Sequence, residues 1–79
     1  MVVVHREAGL RFIIFKDDHE PAHVHVLGDG DAKIRLFGAD GLPKVEEAKG
    51  MKKSVLKRAK NIVMEQQLML MKRWREIHG

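Results

Sequence analysis

The first 47 residues alternate short apolar runs with breaks rich in glycine and aspartate, a pattern typical of a small antiparallel β-sheet. Four apolar runs predict strands at residues 2–5, 10–15, 23–27 and 32–37. The breaks, such as Gly28-Asp29-Gly30, contain the residues that hairpin turns need. A fifth run at 42–46 can form only an edge strand, because Pro43 has no N–H to donate to a second neighbour.

The chain beyond Gly50 predicts one helix from about residue 51 to residue 78. Its residues are mainly Lys, Leu, Met, Glu, Gln and Arg, which favour helix, and neither proline nor glycine interrupts them. The pattern does not fix the first residue, because Lys52 stands where a capping Ser, Thr or Asp is preferred and Ser54 is the only alternative cap.

Two apolar stripes appear when the helix residues are placed at intervals of about 100°. The main stripe is expected to cover the sheet; it consists of Leu56, Ala59, Val63, Leu70, Trp74 and Ile77, flanked by Val55 and Ile62. The sequence therefore predicts an α+β fold in a single domain, residues 1–79. A small antiparallel sheet of four or five strands occupies 1–47, and one long C-terminal helix, 51–78, packs on one face of it.

The second stripe holds Met64, Leu68 and Met71, at i, i+4 and i+7, well away from the first. A single sheet cannot cover both stripes. Apolar residues that are exposed singly are ordinary on protein surfaces. Three on one helix face instead predict a partner interface, either with another protein or in a homodimer.

Charge is distributed unevenly between the two halves. Residues 1–42 carry five Lys/Arg against seven Asp/Glu, a net −2, whereas residues 43–79 carry ten against four, a net +6. The basic second half predicts an anionic partner, either RNA or an acidic protein, although a charged helix exterior can also simply be solvated. The candidate anion-binding side chains are Lys33, Arg35, Lys53, Lys57, Lys60 and Arg75.

The 79-residue chain contains no cysteine, which excludes thiolate metal sites and cysteine nucleophiles and is typical of a reducing cytosol. No signal-peptide pattern precedes Val2-Val3-Val4, and no apolar run approaches the roughly 20 residues needed to span a bilayer. We therefore expect a cytoplasmic protein without a membrane partner.

Residues able to bind metal or transfer protons are most concentrated in the run from Asp17 to Val26, Asp-Asp-His-Glu-Pro-Ala-His-Val-His-Val. Residues two apart on a strand share a face, so His23 and His25 are expected to project together, with His19 on the loop before them. One interpretation is a metal site for a divalent ion such as zinc, with His19, His23 and His25 as ligands, or with Glu20 as the third ligand in place of His19. No other cofactor is indicated.

A second interpretation is metal-independent acid–base catalysis. Two imidazoles with pKa values near neutrality can act as general base and general acid, and Lys33 or Arg35 would hold a phosphate for RNA cleavage. The candidate catalytic residues are then His23, His25, His19 and Lys33. A third interpretation is structural, with the imidazoles bonded to Asp17, Asp18 or backbone groups. The sequence leaves open whether the protein is an enzyme.

The register of the third and fourth strands bears on this choice. A two-residue turn at Asp29-Gly30 would place His25 opposite Ile34. A three-residue loop, Gly28-Asp29-Gly30, would place His25 opposite Lys33 and His23 opposite Arg35. We favour the second register, because glycines flank Asp29 and one of them can adopt the left-handed conformation. It predicts an exposed His/Lys/Arg face suited to anions.

Three segments carry a family resemblance: Gly9-Leu10-Arg11-Phe12, the stretch from Asp18 to Val26, and Ala32-Lys33. Together they resemble a family of small bacterial proteins known as domain of unknown function 4160. Ala22 and Lys52 depart from that family's pattern, in which a second proline and a capping Ser or Thr are usual.

The resemblance implies a toxin–antitoxin-like protein whose partner is a cognate small protein encoded next to it. It marks six signature positions, His19, Glu20, Pro21, His23, His25 and Lys33, without assigning them a chemistry. Our leading hypothesis is a protein that binds RNA or its cognate partner through the basic helix and the His/Lys face.

Overall fold

Five antiparallel strands form a meander in which each strand pairs with the next along the chain. In the computed structural model, which describes residues 1–79, they are β1 Val2–Glu7, β2 Leu10–Ile14, β3 His23–Gly28, β4 Gly30–Arg35 and β5 Lys44–Lys49. The strand order is β1-β2-β3-β4-β5. The predicted α+β class and antiparallel sheet are confirmed. The fifth strand exists at the expected edge, but it begins after Pro43 and continues to Lys49.

The C-terminal segment forms two consecutive helices, α1 Lys53–Glu65 and α2 Gln67–His78, so the prediction of one long helix is wrong. Backbone hydrogen bonds still cross the break at Gln66, whose N–H donates to the Ile62 carbonyl. The side chain of Gln67 donates to the backbone oxygens of Leu36 and Gly41, at 2.7 and 2.9 Å. The break therefore coincides with a tertiary tether between the start of α2 and the loop after β4.

The hydrophobic core lies between the two helices and one face of the sheet. It contains the alternate residues of the central strands together with the main helix stripe: Leu10, Phe12, Ile14, Ala22, Val24, Val26, Ala32, Ile34, Leu36, Ala59, Ile62, Val63, Leu70 and Trp74. The main stripe is therefore assigned correctly. The second stripe is only partly exposed, because Met71 packs against the core while Met64 and Leu68 face solvent.

The β3–β4 hairpin has the favoured register, with His25 opposite Lys33 and His23 opposite Arg35. Asp29 is the residue left at the tip, and Gly30 adopts a left-handed conformation with φ of 100°. Any side chain at Gly30 would also collide with the backbone of Gly50, because an added Cβ would lie 2.5 Å from its carbonyl. This glycine therefore sets both the turn and the close approach of the chain after β5.

Neither helix has the length and apolar character that crossing a membrane requires.

Substitution of Leu70 by alanine is expected to lower the free energy of unfolding by about 2–5 kcal/mol, because Leu70 is fully buried and its loss leaves a cavity. Leu68→Ala is the matched control, since Leu68 lies on the same helix and is 80% exposed. It should change stability by less than about 0.5 kcal/mol. Urea denaturation of both variants measures the difference, and similar losses would contradict the assignment of the two stripes.

Candidate functional site

Two histidines and one carboxylate converge at the beginning of β3. His23 and His25 share one face of the strand, as the alternation predicts, and their ring centroids are 5.1 Å apart. Oδ1 of Asp18 lies 3.4 Å from Nε2 of His23 and 3.2 Å from Nε2 of His25. These three residues are called the Asp18 cluster below.

Asp18 is held in this position by the turn that follows β2. Its Oδ2 accepts a hydrogen bond from the Phe15 N–H at 3.0 Å, and its own N–H donates to the Phe15 carbonyl at 3.0 Å. From the sequence, Asp18 is expected only as a possible hydrogen-bond partner of the histidines. One local feature of the sequence could have identified Asp18. An aspartate three residues after the end of an apolar run is a common turn residue.

His23 is almost sealed inside the protein, with 4% of its surface exposed. Its Nδ1 lies 2.9 Å from the Pro21 carbonyl oxygen, and its ring contacts the indole of Trp74 at a centroid distance of 5.3 Å. The Trp74 Nε1–H donates to Oε1 of Glu20 at 3.1 Å. Two signature residues, Glu20 and Pro21, therefore hold the indole of α2 and the ring of His23 in place.

His78, for which the sequence pattern predicts no role, contacts both Trp74 and the loop after β2. Its ring stacks on Trp74 at 3.9 Å, and its two nitrogens contact the carbonyl oxygens of Trp74 and Phe15. The end of α2 is thereby tied to the loop that carries Asp18.

His25 is the member of the cluster that reaches solvent, with 27% of its side chain exposed. Phe15 packs edge-on against its ring, at 4.7 Å. His25 lines a cleft of about 210 Å³ together with Phe15, Leu27, Asp31, Ala32, Lys33, Glu47 and Lys49. Two lysines and two carboxylates share that cleft, so it has little net charge.

The expected exposed His/Lys/Arg face is therefore not formed as predicted. Arg35 is paired with Glu46 at 2.9 Å, and Lys33 lies opposite Glu47 in the β4–β5 register. The cause is β5, whose acidic residues lie beside the cations of β4. His19 is exposed on the loop and is not part of the Asp18 cluster.

This arrangement does not favour RNA cleavage by a His23–His25 pair. A general acid or base must come within hydrogen-bond reach of the substrate. His23 is buried, and its two ring nitrogens face the Pro21 carbonyl and the Asp18 carboxylate. Only His25 offers an imidazole to solvent from this cluster.

The predicted cations of the helices remain accessible. Lys53, Lys57 and Lys60, called the lysine stripe below, are exposed along one side of α1, and none takes part in an ion pair. Arg75 is exposed on α2 and is also unpaired, whereas its neighbour Arg73 pairs with Glu76. Of the six predicted anion-binding side chains, the four that are both exposed and unpaired thus lie on the helices.

The chain belongs to the family described as Domain of unknown function (DUF4160), whose sequence pattern matches residues 9–75. Comparisons with curated proteins and with solved structures gave no match.

The Asp18 carboxyl is tuned by its surroundings. Burial on its own raises the pKa, whereas the hydrogen bond from the Phe15 N–H, the hydrogen bond with His25 and the charges of His25 and His23 lower it. The net effect is a pKa below the usual carboxyl value, so Asp18 is ionised at neutral pH.

Asp18→Ala is expected to cost about 1–3 kcal/mol of stability at neutral pH, because the Phe15 N–H and His25 lose their acceptor. A lowered folded-state pKa gives stability that is present above the unfolded carboxyl pKa, about 4, and is lost as the pH falls through the folded-state value. The difference from wild type should therefore shrink in acid, as measured by urea denaturation across pH. Asp17→Ala, on the same loop but exposed, is the control; a loss independent of pH would contradict this account.

Proposed function

We propose that this chain is a toxin–antitoxin-like binding protein that binds an acidic cognate protein through the lysine stripe of α1. One observation carries the proposal. The line of the lysine stripe, at i, i+4 and i+7, continues one turn further to Met64 and then to Leu68, which are 46% and 80% exposed. Met64 and Leu68 are called the apolar patch below. A cationic row beside an apolar patch is the surface that an acidic, amphipathic partner fits.

The lysine stripe also lacks an internal counter-charge. Like charges three and four residues apart on a helix repel one another and slightly destabilise it. The one acidic residue of α1, Glu65, lies in its last turn and forms no ion pair. Carboxylates of a partner would relieve this repulsion, which supports an anionic ligand for the stripe.

The apolar patch favours a protein over RNA as that ligand. Single-stranded RNA is usually held by exposed aromatic rings on which bases stack. Phe12 and Trp74 are buried here, and Phe15 packs against His25. Only Phe37 is appreciably exposed, and it lies in the loop after β4. Exposed Met and Leu side chains instead suit the apolar centre of a protein interface.

A homodimer through this surface is less favourable. A two-fold interface uses the same patch on both copies. It would bring the lysine stripes of both chains together without a carboxylate from either stripe.

RNA is the second candidate ligand, and a different feature supports it. Beside α1 runs a cleft of about 540 Å³ whose lining includes Lys60, Lys44 and Arg35. This cleft extends the cationic surface from the helix to the β4–β5 edge. A phosphate backbone lying along the stripe could enter it, although Asp40 also lines the cleft.

The proposal is tested with the product of the gene encoded next to this chain. Reversal of the lysine stripe, Lys53→Glu with Lys57→Glu and Lys60→Glu, should weaken binding in calorimetry at least tenfold. The matched control reverses Arg6, Arg11 and Lys16, which are exposed on the β1–β2 side of the protein and give the same change in net charge. Equal losses in both triple variants, or none in either, would overturn the proposal.

Leu68→Glu separates a protein ligand from RNA. If the apolar patch is the centre of a protein interface, this change should weaken binding roughly thirtyfold, the effect of losing about 2 kcal/mol, while circular dichroism stays unchanged. For RNA, Leu68→Glu should matter less than the lysines. Neutralising the lysine stripe to alanine should then reduce the slope of log K against log salt by about 2, at roughly 0.7 per phosphate contact. If the slope falls in this way with a mixed-sequence single-stranded RNA, the ligand of the lysine stripe is RNA and not a protein.

A further inference from the structure

We propose that the Asp18 cluster is a binding site for one divalent transition-metal ion, zinc in the first instance, with Asp18 Oδ1, His23 Nε2 and His25 Nε2 as its ligands. The three donor atoms all lie within 4.8 Å of one another. This inference is independent of the proposed binding function, because the lysine stripe lies on α1.

The spacing of the donors suits a small ion. Tetrahedral zinc with bonds of about 2.0–2.1 Å places neighbouring ligand atoms about 3.3 Å apart. The distances from Asp18 Oδ1 to the two imidazole nitrogens are 3.4 and 3.2 Å. An ion can therefore enter between these atoms with small adjustments of the side chains.

The protonation of His23 provides the second argument. Its Nδ1 faces the Pro21 carbonyl at 2.9 Å, and a carbonyl oxygen only accepts, so Nδ1 carries the proton. In the neutral ring, Nε2 then presents a lone pair to the Asp18 carboxylate, which also has only lone pairs to offer. This contact lies in the protein interior, since His23 is 4% exposed. A metal ion bound between the two atoms would accept a lone pair from each of them.

The surroundings already hold each ligand in the form that a metal needs. Metal-binding histidines usually donate their other ring N–H to a carbonyl or carboxylate, as His23 does to Pro21. Asp18 is oriented in the same manner, because its Oδ2 is engaged by the Phe15 N–H and its Oδ1 faces the two imidazole nitrogens that would share the ion. Phe15 also packs on the His25 ring and limits its rotation.

Two imidazoles and one carboxylate are borderline ligands that suit zinc, and the same set is found at non-haem iron(II) sites. Three protein ligands leave at least one coordination position for water or another ligand. His25, partly exposed at the cleft that contains Lys33, gives the ion a route to solvent. The sequence-based ligand set of His19, His23 and His25 is thus revised, with Asp18 in place of the exposed His19.

The test uses untagged, chelator-treated protein titrated with Zn²⁺ by calorimetry. We expect one ion per chain with a Kd below about 10 μM. Asp18→Asn, which keeps an oxygen for the Phe15 N–H, and His25→Gln should each weaken binding more than tenfold. His19→Gln is the matched control, because it removes an imidazole from the same loop, and it should leave the affinity unchanged. A weaker Kd in wild type, or equal loss in His19→Gln, would overturn the site.

A measurement on the wild-type protein guards against variants that do not fold. In ¹⁵N spectra of the imidazoles, one equivalent of Zn²⁺ should shift Nε2 of His23 and His25 together and leave His19 and His5 unmoved. If no histidine responds, or if His19 responds instead, the proposed ligand set is wrong. The lysine variants should bind zinc as the wild type does, even where they lose partner binding. Failure of one proposal can therefore be distinguished from failure of the other.

Discussion

The contact between Trp74 and the loop before β3 is the interaction on which the rest of the site depends. The indole is 2% exposed, packs with the core, and bonds Glu20 through its N–H. It joins residues that are 54 positions apart in the chain, and its ring also meets His23. Without this contact the loop that carries Asp18 would lose one of its two ties to α2, the other being the contact of His78 with the Phe15 carbonyl. The end of α2 therefore acts as the clamp that makes the Asp18 cluster a defined structure.

The two faces of the sheet carry different kinds of residue. One face supplies Phe12, Val26 and Ala32, which lie opposite one another in adjacent strands and pack beneath the helices. The other face carries His25 and Lys33 in the same register. Because side chains alternate along a strand, any shift by one residue would exchange these two sets. The hairpin turn at Gly30 therefore controls the position of the histidines as well as the core.

Local sequence patterns were enough to predict most of the fold. The contacts between residues distant in the chain could not be predicted from them. The alternation in β3, the hairpin register and the main stripe of the helix all follow from spacing along the chain, and the structure agrees with them. The break at Gln66 was missed because the hydrogen bonds beside it join the Gln67 side chain to backbone oxygens of Leu36 and Gly41, which are distant in the chain. The neutralisation of Arg35 was missed for a similar reason, since it required knowing the β4–β5 register that brings Glu46 beside Arg35. In the site, spacing identified the two histidines, but only the folded loop selects Asp18 over His19.

The small size of the domain supplies a physical reason for a metal ion at the Asp18 cluster. A core in a chain of about 70–80 residues supplies only a few kcal/mol, and small domains often add a disulfide or a metal. This chain has no cysteine, so a disulfide is not available to it. The cluster joins β3 to the loop after β2, and α2 closes over the same loop through Trp74 and His78. An ion bound there would cross-link two elements, β3 and the loop after β2, next to the point where α2 packs on that loop. A bound metal ion would account for the burial of His23. Binding of the ion and stabilisation of the fold would then be the same event.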